Sequence, residues 1–426
     1  MQDGCHGVSP TGRTARRSFL HTTQAVPVDA VGSARRGSKY LSPFHQTFHV
    51  LRGLHAPQAR STVVVLMSDH LQVWEEPVRG GYPDPSTLTL SGLERMRAWV
   101  KGQILEPPVC RLIGMRAVEA GVGTCTYVTP ASEWLHGGTG HYAGGVGALV
   151  ADASLGCAVL TGVPPWAITT TSQLSMSFLR PAGPWSGRLA ARAKLIHTTP
   201  TVGLSEVHVE DGEGRLVAHA TSRCFIQHIK PFETEPFVAD AIDAPRYDTP
   251  DPYLRPVQGA NVPLSVWEEM SGLEWGRALK SGEAAGSPIG VLFGYEMLEV
   301  DEGAAAMSIE NSEWLCNPGR MVYGGVIANI AHDSMAMALH TTLPKGTTYA
   351  TLDLTVNFVR PAPPDRGKMI SRGRVVHKGR TFSVTNAEVK SPNGKTVATA
   401  SASWMILKGR PFPDQRDYAR EFPTTA

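Results

Sequence analysis

The chain repeats itself at one fixed spacing. Ser132-Glu133-Trp134-Leu135 returns as Ser312-Glu313-Trp314-Leu315, 180 positions further on. The same step carries Gly144-Gly145-Val146 onto Gly324-Gly325-Val326, and Arg180-Pro181-Ala182 onto Arg360-Pro361-Ala362. It also carries Gly114, Glu119 and Gly123 onto Gly294, Glu299 and Gly303, with no gap anywhere. Unlinked clusters that agree on one offset mark a duplication, so the chain folds as two copies of one unit. The expected division is a basic extension over 1–66, a first domain over 67–228 and a linker over 229–269. A second domain over 270–410 and a tail over 411–426 complete it. The linker stretch is rich in Pro and Asp, which suits an extended crossing.

Inside each copy the pattern predicts a strand hairpin, one helix and then three strands. Residues 111–130 read as β-rich with a turn at Gly121–Gly123. Residues 143–160 carry Ala, Leu and Val on nearly every face, as expected of a fully buried helix. The stretch 168–180 alternates with β-branched residues, and 187–210 reads as a continuing strand. Asp211-Gly212-Glu213-Gly214 reads as a hairpin turn, as does Ser391-Pro392-Asn393-Gly394 in the second copy. One buried helix wrapped by an antiparallel sheet is an α+β arrangement. With two copies in one chain, the sheets are expected to join edge to edge.

Residues 1–66 carry eight Lys and Arg against two acids, so their net charge of +6 leaves −4 for the remainder of a chain whose total is +2. A mildly acidic body gives no electrostatic case for nucleic acid. The basic start reads as a disordered extension, with an organellar targeting segment as the other reading. No apolar run approaches the ~20 residues of a membrane span. The six cysteines are scattered without a Cys-x-x-Cys pair, which suits reduced thiols in a cytoplasmic protein and implies no metal site. No cofactor is implied.

The motifs around the second helix are more specific. Asn317-Pro318-Gly319-Arg320-Met321-Val322-Tyr323-Gly324-Gly325 precedes it, and His377-Lys378-Gly379-Arg380-Thr381 lies further on. This resembles the hotdog-fold acyl-CoA thioesterases of the phenylacetate-degradation type, whose pattern is Asn, six residues, His-Gly-Gly, and an acid seven residues after the second Gly. The resemblance implies a double hotdog forming a pseudo-dimer, an acyl-CoA or acyl-carrier thioester as substrate, and pseudo-dimers that associate further. Tyr323 departs from the pattern's His.

The two copies fill the pattern unequally. Seven residues beyond Gly145 stands Asp152, whereas seven beyond Gly325 stands His332, followed by Asp333. The Asn position holds Asn317 in the second copy and Gly137 in the first. Seven residues span about 10.5 Å of helix, too far for an acid to share a carbonyl with its own N-terminus. Asp152 is therefore expected to face the other helix, as base or nucleophile beside Asn317 and the Gly324 and Gly325 amides. The resemblance adds Thr171 as a holder of the attacking water. Tyr323, Lys378, Gly379 and Arg380 are the expected substrate contacts, the two cations suiting phosphate. His332, Asp333 and Thr351 would form a second, degenerate site. Two other readings stand beside thioester hydrolysis: a hotdog enoyl-thioester hydratase or dehydratase, and a non-catalytic acyl-thioester binding protein.

Overall fold

The computed structural model describes residues 72–409 apart from 241, 243, 244 and 365. The expectations for 1–66 and 411–426 lie outside the described residues. The first half runs α1 (Gly92–Val100), α2 (Pro108–Ile113), β1 (Arg116–Gly121), β2 (Thr124–Pro130), α3 (Gly144–Leu160), β3 (Ala167–Phe178), β4 (Arg188–Thr198), β5 (Val202–Glu210) and β6 (Leu216–His228). After an extended segment and α4 (Leu264–Glu269), the second half repeats the series. It comprises α5 (Gly272–Ser281), α6 (Pro288–Phe293), β7 (Glu296–Asp301), β8 (Ala304–Glu310), α7 (Gly324–His340), β9 (Thr347–Phe358), β10 (Lys368–Lys378), β11 (Phe382–Lys390) and β12 (Thr396–Lys408).

Two expected details are corrected. The stretch 187–210 is two strands, because the chain turns at Thr199, whose N–H donates to the Val202 carbonyl at 2.8 Å. Each half therefore places four strands after its buried helix. Residues 108–113, read partly as strand, form α2: Pro108 supplies the preset φ of a first helical position, and Gly114 closes the turn at φ 72°.

All twelve strands form one antiparallel sheet in the order β1-β2-β4-β5-β6-β3-β9-β12-β11-β10-β8-β7. The halves meet where β3 pairs with β9, and Ser175 lies opposite Thr355, its own repeat mate. Their hydroxyls lie 3.1 Å apart, so the pseudo-twofold axis passes between them. This pairing covers the edges that β3 and β9 would otherwise expose, as expected of a double hotdog.

The two central helices pack against each other at the same axis. A β-carbon on Gly145 would fall 2.5 Å from Asn329 Cα, and one on Gly325 would fall 2.7 Å from Leu149 Cα. The partner numbers descend as the helix ascends, so α3 and α7 run antiparallel. Only glycine lets the two backbones approach this closely. Gly145→Ala should therefore force the helices apart and lower stability by about 1–3 kcal/mol. Denaturant unfolding of the variant checks this, and an unchanged midpoint would show that the contact tolerates a methyl group. The paired tryptophans anchor the surrounding core: Trp134 and Trp314 are buried, and their indole N–H groups donate to the Arg255 and Glu76 carbonyls.

Candidate active site

Asp152 sits midway along α3 with 4% of its surface exposed. The Thr171 hydroxyl on β3 donates to its Oδ1 at 2.8 Å. A β-carbon on Gly324 would fall 2.6 Å from Oδ2, so the carboxylate faces the first turn of α7. Burial pushes its pKa up to about 6, against the smaller opposing pull of the Thr171 hydroxyl and the Gly325 N–H. An ionised acid can remain here because these donors and the positive end of the helix offset part of the lost hydration.

The structure thus brings Asp152, Thr171, Gly324 and Gly325 together. The Gly325 N–H, expected as a carbonyl donor, is directed at Asp152 instead, while the Gly324 N–H has no acceptor among the described residues. Asn317 is half-buried in the loop before α7. Its Oδ1 accepts from the Gly319 N–H at 2.9 Å and the Met321 N–H at 3.3 Å. The oxygen is therefore turned into the loop, which leaves the NH₂ end as the donor it can offer outward.

The expected substrate contacts fall elsewhere. Tyr323 is 6% exposed and its hydroxyl donates to the Leu149 carbonyl, so it ties α7 to α3 in the core. Lys378 donates to the Thr342 carbonyl, just past the C-terminal end of α7. The whole of α7, 17 residues or about 25 Å, lies between that carbonyl and Gly324. Lys378, Gly379 and Arg380 therefore do not join the Asp152 cluster. Sequence reasoning missed a nearer cation: Arg320, in the Asn317 loop, stacks over the Tyr82 ring at 4.4 Å. It adopts φ 57° where its repeat mate Gly140 adopts φ 76°. A non-glycine residue standing where the repeat has glycine is the signal that marks it.

At the pseudo-equivalent position His332 is 3% exposed. Its Nδ1 lies 3.0 Å from Asp333 Oδ1 and its Nε2 lies 2.9 Å from Thr351 Oγ1. A cavity of about 560 Å³ opens beside this second cluster, lined among others by Trp275, Met307, Asp333, Met337, His340 and Tyr349. The loop 137–139 closes one side of it. This cavity and Asp152 thus lie on opposite sides of the pseudo-twofold axis. Among the described residues no helix is long and apolar enough to cross a membrane.

The double-hotdog fold agrees with comparison to known proteins. The thioesterase-superfamily profile matches twice, over residues 139–218 and 319–398. The chain belongs to the thioesterase superfamily. It is 33% identical over 104 residues to a candidate esterase from Halobacterium salinarum, covering 23% of this chain and 67% of that protein. It is 28% identical over 113 residues to one from Saccharolobus solfataricus, covering 26% of this chain and 79% of that protein. Among solved structures, it is similar to an acyl-CoA thioesterase II from Mycobacterium marinum, with 12% identity, 72% of this chain and 99% of that chain covered, and a TM-score of 0.42.

Proposed function

We propose that the chain hydrolyses acyl thioesters, with coenzyme A as the thiol carrier, at the composite site of Asp152, Thr171, Asn317 and the start of α7. The observation that carries this reading is the buried Asp152 carboxylate, its pKa raised to about 6, set against the first turn of the facing helix. A carboxylate of that pKa is ionised at neutral pH and more basic than an exposed aspartate, as a general base requires. Water beside the Asp152–Thr171 pair gives its proton to Asp152 as its oxygen attacks the thioester carbon. The charge that develops on the carbonyl oxygen is met by the Gly324 N–H and the Asn317 NH₂. The carbon–sulfur bond then breaks, and the departing thiolate recovers the proton from Asp152. Arg320, exposed in the Asn317 loop, offers a cation to the carrier's phosphates. The two relatives named as candidate esterases point to the same class of reaction.

Thiol release from acetyl-CoA, followed with a thiol reagent, tests the proposal. Hydration of an enoyl-CoA without thiol release would replace it with the hydratase reading, and tight binding without either reaction would leave a binding protein.

A further inference from the structure

The acid position of the second half holds His332. The geometry points to a second catalytic centre there, in which a His332–Asp333 pair hydrolyses thioesters of bulky, largely apolar acyl groups seated in the adjacent cavity. The inference rests on thioester hydrolysis being the activity proposed above.

His332 repeats the placement of Asp152 in a different chemical form. A β-carbon on Gly144 would fall 2.6 Å from His332 Nε2, as one on Gly324 would fall 2.6 Å from Asp152 Oδ2. The threonine nineteen residues on makes the same contact in both: Thr351 Oγ1 lies 2.9 Å from Nε2, and Thr171 Oγ1 lies 2.8 Å from Asp152 Oδ1. The Asp333 carboxylate accepts at 3.0 Å, which requires the proton on Nδ1. In the neutral imidazole Nε2 is then the lone-pair nitrogen, and it accepts from the Thr351 hydroxyl. A histidine held in this tautomer by a carboxylate is a general base. The Gly144 and Gly145 N–H groups have no acceptor among the described residues, so the first turn of α3 presents donors to a carbonyl oxygen. Gly137 stands in place of Asn317, so these donors come from backbone alone.

The cavity supplies room for the acyl group. Its volume lies in the range of small-molecule sites. Asp333 belongs both to its wall and to the histidine pair, which joins pocket to chemistry. The difference between the halves can be read position by position. Met96 on α1 is fully buried, and its repeat mate on α5 is Gly276. A β-carbon on Gly276 would fall 2.8 Å from Val300 Cγ1 and 3.3 Å from Met337 Sδ, so a side chain there would enter the Met337 wall. Tyr127 is buried in the first half, whereas its mate Met307 is half-buried on the cavity wall. Aromatic rings and flexible methionines suit an apolar acyl group. His340 lines the same wall, where burial pushes its pKa down to about 3 and keeps it neutral, while the exposed Lys280 and Glu296 place charge elsewhere on the lining.

In the reaction, His332 Nε2 takes a proton from water as the water oxygen bonds to the acyl carbon. The carbon–sulfur bond breaks, and the imidazolium returns its proton to the thiolate. Water and thioester give acid and thiol, with no other reactant.

The test compares kcat/KM for decanoyl-CoA and acetyl-CoA across the full-length wild type, Gly276→Met, His332→Gln and Asp152→Asn. Gly276→Met should fill the recess and should lower the decanoyl-to-acetyl ratio at least tenfold. His332→Gln keeps the side-chain bulk without the base and should lower the ratio similarly, so the result survives if the methionine variant fails to fold. Asp152→Asn should raise the ratio. If Asp152→Asn removed hydrolysis of both substrates while the other two variants left the ratio within twofold of wild type, the second centre would be refuted and the first would stand. Thiol release from neither substrate by the wild type would refute hydrolysis itself.

Discussion

Asp152→Asn is expected to lower acetyl-CoA turnover by about 10²–10⁴-fold, the usual contribution of a positioned general base. The substitution keeps the size and planarity of the side chain, and its carbonyl oxygen can still accept from Thr171 Oγ1, which lies 2.8 Å from Oδ1 in the wild type. What disappears is the ability to take a proton, so kcat should fall while KM moves little. Asn317→Ala acts on the same step from the other side of the carbonyl. Removing one oxyanion donor costs about 10²–10³ in rate. Both residues serve one transition state, so the double variant should be scarcely slower than Asp152→Asn alone. A fully additive loss would mean that the two groups act in separate sites. Acetyl-CoA turnover retained in Asp152→Asn would remove this residue from that chemistry.

The features legible in the sequence were those governed by backbone geometry. A gapless offset of 180 fixes equal elements in both halves, and every strand and helix from α1 to β12, α4 apart, begins at its mate's position in the other half. The placement of Asp152 against the opposite helix followed from the rise of an α-helix, because seven residues cannot fold back on their own N-terminus. Volume was harder to read. Met96 and Gly276 are single letters at one offset, and only packed neighbours show that the first is fully buried while a side chain at the second would meet Val300 and Met337. Distance was not legible in the motif: Lys378, at the end of β10, donates to the Thr342 carbonyl beyond the C-terminal end of α7, the far end from Gly324. Tyr323 stands where the family pattern holds a polar ring beside the substrate, but its hydroxyl finds a nearer acceptor in the Leu149 carbonyl. The turn between β4 and β5 was hidden because its residues, Thr199-Pro200-Thr201, lack the glycine that usually marks a tight turn.

The same carboxylate should make the protein less stable at neutral pH than it would be without it. In the folded chain burial raises Asp152 from 3.8 to about 6. A displacement of that size corresponds to about 3 kcal/mol. Below about pH 4 the residue is protonated in both the folded and the unfolded chain and contributes no difference. Between about pH 4 and pH 6 the folded chain holds a proton that the unfolded chain has released, so stability falls as pH rises. Above about pH 6 the full penalty is present. Asp152→Asn, which never ionises, should therefore raise the denaturant midpoint at pH 7.5, and that advantage should shrink steadily and vanish towards pH 4. Turnover by the wild type should move the opposite way, falling as pH drops through about 6 and the base becomes protonated. The ionised carboxylate that weakens the fold is the one that activates water, which is the trade expected of a buried catalytic acid. Equal stability of the two proteins at pH 7.5 would show that the Thr171 and Gly325 donors compensate the buried charge in full.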